Sequence, residues 1–127
     1  MLHPSQFEIN ATWIAFKLND APIETAADGD FELIAIMDAA SCFILSSGLV
    51  PAGQAMEVKR LLKQASAHKK KLPKMLYVPT ELTAPNLKVE AERQKLTVVG
   101  IPEVQLLVFI GEAREGFKER VGGGSFQ

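Results

Sequence analysis

The chain has one cysteine, Cys42, and two histidines, His3 and His68, among 127 residues. A lone cysteine forms no internal disulfide and builds no cysteine zinc site. Set within the apolar run 42–45, it reads as a small buried side chain rather than a reactive thiol. The histidines fall in no HxH or HExxH spacing, so no histidine metal site is expected. Charge of one sign is also lacking. Fourteen basic and fifteen acidic side chains leave a net charge of −1, which weighs against nonspecific binding to nucleic acid. No window approaches the roughly 18–20 apolar residues of a membrane span. The start, MLHPSQFEIN, has neither a basic region nor a long apolar run, so no signal peptide is expected and a cytoplasmic protein is.

What is present suits a globular domain. Hydrophobic residues make up 47% and charged residues 23%, ordinary proportions for a soluble fold. One domain over 1–127 is expected, with a core at 10–120 and flexible ends at 1–8 and 122–127. Its centre is the stretch 31–50, FELIAIMDAASCFILSSGLV. Two short apolar runs separated by Asp38-Ala39-Ala40-Ser41 predict a β-hairpin. Successive strand residues face opposite ways, so unbroken apolar runs predict burial on both faces and a place in mid-sheet.

Before the hairpin, residues 12–18 alternate Ile14, Phe16 and Leu18 against Trp13, Ala15 and Lys17, which predicts a strand with one strongly apolar face. After it the period changes. Val58, Leu61, Leu62 and Ala65 recur at i, i+3, i+4 and i+7 within 54–68, an amphipathic helix that Pro73 ends. Residues 75–78 predict a strand between Pro73 and Pro79. Thr83-Ala84-Pro85 opens a second helix toward Lys95, with Leu87 and Ala91 inward. Residues 96–99 predict a further strand. The segment 103–120 fits a helix through Val104, Leu107, Val108 and Gly111, although VQLLVFI is dense in β-formers. The order is β-β-β-α-β-α-β-α: a mixed α/β fold whose five-stranded sheet carries helices on its faces.

That order is similar to the ribonuclease H-like fold of integrases and transposases. The blocks TWIAFKLND, LIAIMDAASCFILSSGLVP, MEVKRLLKQA, KMLYVPTEL and LTVVGIPE also resemble a group of bacterial domains related to that fold. The resemblance implies a test. Nucleases of this kind gather several carboxylates around two divalent cations, which stabilise the attacking and the leaving oxygen. Their first aspartate lies in the middle of the first strand, where this chain has Ile14-Ala15-Phe16-Lys17. The second lies at the end of the fourth strand, where this chain has Val78-Pro79-Thr80 and then Glu81.

The carboxylate candidates are therefore Asp38, Glu81 and a helical acid, Glu112 or Glu115. Asp38 follows a strand but falls in a turn, where aspartate ordinarily accepts local backbone hydrogen bonds. A nuclease lacking its central acid reads as the fold without the enzyme, needing no metal or cofactor. Three other features are weaker. Gly111–Lys118 superficially resembles a phosphate loop, but Phe117 separates the second glycine from the lysine. Ser46-Ser47-Gly48 lacks the G-x-S-x-G elbow of a serine nucleophile. Lys69, Lys70, Lys71 and Lys74 are the nucleic-acid-binding candidates, yet no aromatic residues interleave to stack bases. The expected function is a non-catalytic module that binds another protein or itself as a homodimer; the alternatives are a divalent-metal-dependent nuclease with displaced carboxylates at Asp38, Glu81 and a helical Glu, and a weak nucleic-acid-binding module acting through Lys69 to Lys74. Trp13, Leu106, Phe109 and Ile110 are the interface candidates.

Overall fold

The computed structural model describes residues 1–19, 23–25, 29–51, 58–67, 72–82 and 85–121. Strand β1 (Thr12–Lys17) is the middle of the sheet, because it pairs antiparallel with β3 (Gly29–Asp38) and parallel with β5 (Met75–Pro79). Beyond β5 lies β6 (Thr97–Ile101), also parallel; beyond β3 lies β4 (Ile44–Pro51), antiparallel. The sheet therefore runs β4-β3-β1-β5-β6 and is five strands wide. A sixth, three-residue strand, β2 (Ile23–Thr25), pairs with β3 at Gly29, Asp30 and Phe31. Phe31 pairs with Ile23 and also with Pro51 of β4, so β2 lies on the side of β3 that β1 occupies and continues its row. Three residues are too few to show any period, which is why β2 is not predicted.

The hairpin β3–β4 forms as expected, but its placement differs. It is the outer part of the sheet, and β4 is the edge strand. Both faces of the sheet are covered over β1. Trp13 and Ala15 enter a core with Ile34, Ile36, Leu61, Leu62, Ala65, Leu76 and Leu87, on the face carrying helices α1 (Val58–Ser66) and α2 (Pro85–Arg93). Ile14 and Phe16 enter a second core with Ala35, Met37, Leu106, Phe109 and Ile110, under helix α3 (Leu107–Val121). The expected single apolar face on β1 is thus two apolar faces. Trp13 and Ala15 are as fully enclosed as Ile14 and Phe16.

Local chemistry sets the element ends. Helix α2 starts at Pro85, whose fixed φ suits a first turn. It stops in a Schellman arrangement. Leu96 N–H donates to the Ala91 carbonyl (3.0 Å), Lys95 N–H donates to that of Glu92 (2.9 Å), and Lys95 takes φ 69°. Leu96 then drops into the core beside Leu87 and Ala91. Helix α1 sits close on β4: a methyl group added at Gly48 would lie 3.2 Å from Leu61 Cδ2. The segment 103–120 resolves as a short 3-10 turn, Glu103–Leu106, running into α3.

Helix α3 contains Gly111 and Gly116, and a methyl added at either would meet nothing within 4 Å. Alanine at both positions is expected to raise stability by about 1–2 kcal/mol through helix propensity. Urea unfolding checks this. Residues 1–8 make contacts with the body of the domain. Leu2 N–H donates to the Gln105 carbonyl at 2.9 Å. The Phe7 ring stands edge-on to Tyr77 and Phe109, at centroid separations of 5.7 and 5.9 Å. The tail 122–127 lies outside the described residues.

Candidate functional site

Strand register decides whether the carboxylate candidates can meet. Asp38 pairs with Trp13, near the start of β1. In β5, Met75, Leu76 and Tyr77 pair with Thr12, Trp13 and Ile14, so Pro79 reaches the level of Phe16. Glu81 lies two residues beyond Pro79. Asp38 and Glu81 are therefore at opposite ends of the sheet and do not form one site.

Asp38 is completely buried and fully engaged. One carboxylate oxygen accepts from Asn10 N–H (2.7 Å), and the other accepts from Ser41 N–H (3.0 Å) and Ser41 Oγ–H (2.8 Å). Its backbone closes the turn as well: Asp38 N–H donates to the Phe43 carbonyl, and Cys42 N–H to the Asp38 carbonyl. The turn contains a left-handed residue, Cys42 at φ 58°, and Asn10 opposite it takes φ 60°. Asn10 also accepts from the Trp13 indole N–H at 2.9 Å. Asp38 is thus the last residue of β3 rather than a residue of the turn itself, and its carboxylate ties the turn at Ser41 to the segment preceding β1.

Glu112 projects from α3 at the Asp38 end of the sheet. With Met37, Cys42, Phe43, Ile44, Phe109, Ala113 and Gly116 it lines a cleft of about 430 Å³. Burial, then the charge of Glu112, then that of Asp38 push the Cys42 thiol up from its usual pKa of 9.0. A thiol with a raised pKa carries less thiolate at neutral pH and reacts more slowly. Alkylation of Cys42 by iodoacetamide near pH 8 is expected to be slower in the folded protein than in urea. Equal rates would contradict the burial.

The other end of the sheet is built differently. Glu81 is exposed, and its Oε1 accepts from Glu103 N–H (2.9 Å) and from Thr80 Oγ–H (3.0 Å). The bond from the Glu103 backbone is the main cause holding its carboxyl below the usual 4.5. This hydrogen bond anchors the start of the 3-10 turn. From α3, Arg114 directs Nε and Nη2 onto the Lys17 carbonyl at the end of β1 (3.1 and 2.8 Å). Its Nη2 also pairs with Glu103 Oε1 at 2.7 Å, with both side chains mostly buried. Sequence reasoning missed Arg114; its sole signal was a cation in the helix expected to carry a nuclease acid.

Among the described residues, no three His, Cys, Asp or Glu side chains gather closely enough to hold a metal ion. The paired cations of ribonuclease H-like nucleases therefore do not fit this donor set. The interface candidates Trp13, Leu106, Phe109 and Ile110 are all fully buried core residues and are corrected accordingly. The apolar surplus of 104–110 fills the core under α3, and its exposed members are Val104 and Leu107. Lys69, Lys70 and Lys71 lie outside the described residues. Lys74 is exposed, and its backbone carbonyl accepts from Thr97 N–H at 2.8 Å. No described helix is long and apolar enough to cross a membrane.

No family model and no curated protein matches the chain. Among solved structures it is similar to a chain of the cryo-EM structure of the simian T-cell lymphotropic virus intasome in complex with PP2A regulatory subunit B56 gamma. The TM-score is 0.54 at 14% identity, covering 90% of this chain and 37% of that one. At this identity the likeness is one of fold, and this chain spans 37% of the length of that one. The β4-β3-β1-β5-β6 mixed sheet, helices on both faces and this likeness make the fold ribonuclease H-like.

Proposed function

We propose that the protein is a non-catalytic interaction module on a ribonuclease H-like fold, acting through contact with another protein or a second copy of itself. One observation carries this reading. Where the fold's nucleases set acids in the middle of the first strand and at the end of the fourth, this chain gathers no such pair, and at the end of its first strand it sets the guanidinium of Arg114, bonded to the Lys17 carbonyl and Glu103. The ion pair engages Glu103, and the Glu103 N–H and Thr80 hydroxyl engage Glu81, so the carboxylates at this end of the sheet serve to fix the start of the last helix rather than to gather paired cations. The middle of the first strand adds only Ala15 and Phe16, both enclosed. Asp38 and Glu81, at opposite ends of the sheet, cannot share an ion.

The test is direct. Calorimetric titration with Mn²⁺ is expected to give no binding heat at millimolar metal. Single- and double-stranded DNA and RNA are expected to remain intact in the presence of Mg²⁺ or Mn²⁺. Saturable metal binding, or cleavage abolished by Glu81→Gln, would overturn the reading.

A further inference from the structure

We infer that the free edge of β4 is a self-association surface, on which a second copy of the chain adds its own β4 antiparallel. The inference deepens the interaction-module reading and rests on it. Strand β4 is eight residues long and pairs only with β3 among the described residues. An edge strand presents a row of backbone N–H and C=O groups to any chain that can match it. Folds usually guard such edges with lysine, proline or a short strand. This one carries no ionisable side chain, and its one proline, Pro51, is the last residue. The bulge where Ile36 pairs with Ser46 and Met37 with Ile44 sits at its other end, leaving Ser46–Leu49 regular.

Exposed apolar side chains mark the same edge. Leu49 is 60% exposed, and Phe43, just before the strand, is 57% exposed. Ser47 and Leu49 lie on the α3 side of the sheet, opposite Ala35 and Leu33, where they remain exposed. A second copy is the favoured occupant because the edge is compatible with itself. Two-fold antiparallel pairing sets an uncharged strand against the same uncharged strand, so no like charges meet across the ladder. Such pairing joins the two sheets into one.

The geometry also fixes a salt response. A two-fold axis normal to the sheet keeps equivalent faces on the same side, so the two α1 helices become neighbours. Lys59 and Lys63 are exposed on α1. Their mutual repulsion is relieved by salt, so association strengthens as NaCl rises. The edge is about 26 Å long, at the small end for an interface, so the dimer is weak and concentration-dependent.

Sedimentation velocity on the full chain, over a wide concentration range and at two NaCl levels, tests this. The wild type is expected to dimerise, more tightly at high salt. Ser47→Lys and Leu49→Lys, both at exposed positions, are each expected to weaken the dimer by about tenfold or more. Leu107→Lys, on exposed α3, leaves it unchanged. Circular dichroism confirms that each variant is folded. The inference is overturned by a monomer at every concentration, by a dimer that survives both edge lysines, or by weakening with salt. A monomer would leave the non-catalytic reading to the metal titration, so the two fail separately.

Discussion

Replacing Asp38 by alanine is expected to cost about 2–4 kcal/mol of folding stability, a large part of the 5–15 kcal/mol typical of a domain. Three donors converge on this enclosed carboxylate: Asn10 N–H, Ser41 N–H and Ser41 Oγ–H. Truncation leaves the half-buried Asn10 N–H without its acceptor, while the Ser41 donors, on an exposed residue, can turn in part to water, so the penalty is a partial desolvation rather than a full one. It also releases two backbone sites held in the left-handed region, Asn10 and Cys42. Asp38→Asn is expected to cost less, about 1–2 kcal/mol, because one oxygen remains to accept from Asn10 while the charge assistance is lost. Ser41→Ala removes one donor and should fall near 1 kcal/mol. Urea unfolding of the three variants gives the order. A ligand-binding aspartate would show the opposite pattern, with small stability losses and a large loss of metal affinity. A cost below 1 kcal/mol for Asp38→Ala would refute the structural role.

The parts of the fold legible from the sequence were those written in a repeating pattern. The stripe Val58, Leu61, Leu62 and Ala65 marked α1, and the two apolar runs of 31–50 marked the β3–β4 hairpin. Three features were not legible, each for a physical reason. An edge strand and a central strand can both be apolar, and only pairing partners tell them apart. That is how β4 was placed in mid-sheet. Trp13 and Ala15 looked like the weaker face of β1 because alanine signals little in either direction. Their burial depends on α1 and α2, which come much later in the chain. The docking of Phe7 and the grip of Arg114 on Lys17 join residues far apart in sequence, 97 positions in the second case, and no local period records such contacts. At the candidate site the sequence showed which acids were missing, whereas only the structure revealed the cation at that end of the sheet.

Phe16→Ala is expected to destabilise the protein by about 3–5 kcal/mol, the range for a large aromatic removed from a close-packed core. The ring is wholly enclosed on the central strand and belongs to the core of Leu106, Phe109 and Ile110 under α3. A cavity there is bounded by the sheet and by a helix docked through Arg114, so the surroundings can collapse only partly. Phe16→Asp carries the argument further. It returns an acid to the strand where the fold's nucleases keep theirs, and it should be worse than alanine. The new carboxylate would lie among apolar side chains, and burying an unpaired charge costs several kcal/mol beyond the lost packing. The expected result is a protein that fails to fold at neutral pH, read as loss of the folded circular dichroism signal, with no metal-dependent cleavage gained. If Phe16→Asp folded and bound Mn²⁺, the first strand would have room for catalysis after all. If it unfolds, the missing aspartate is not one substitution away from an enzyme, because the core has closed over the position that the acid would need.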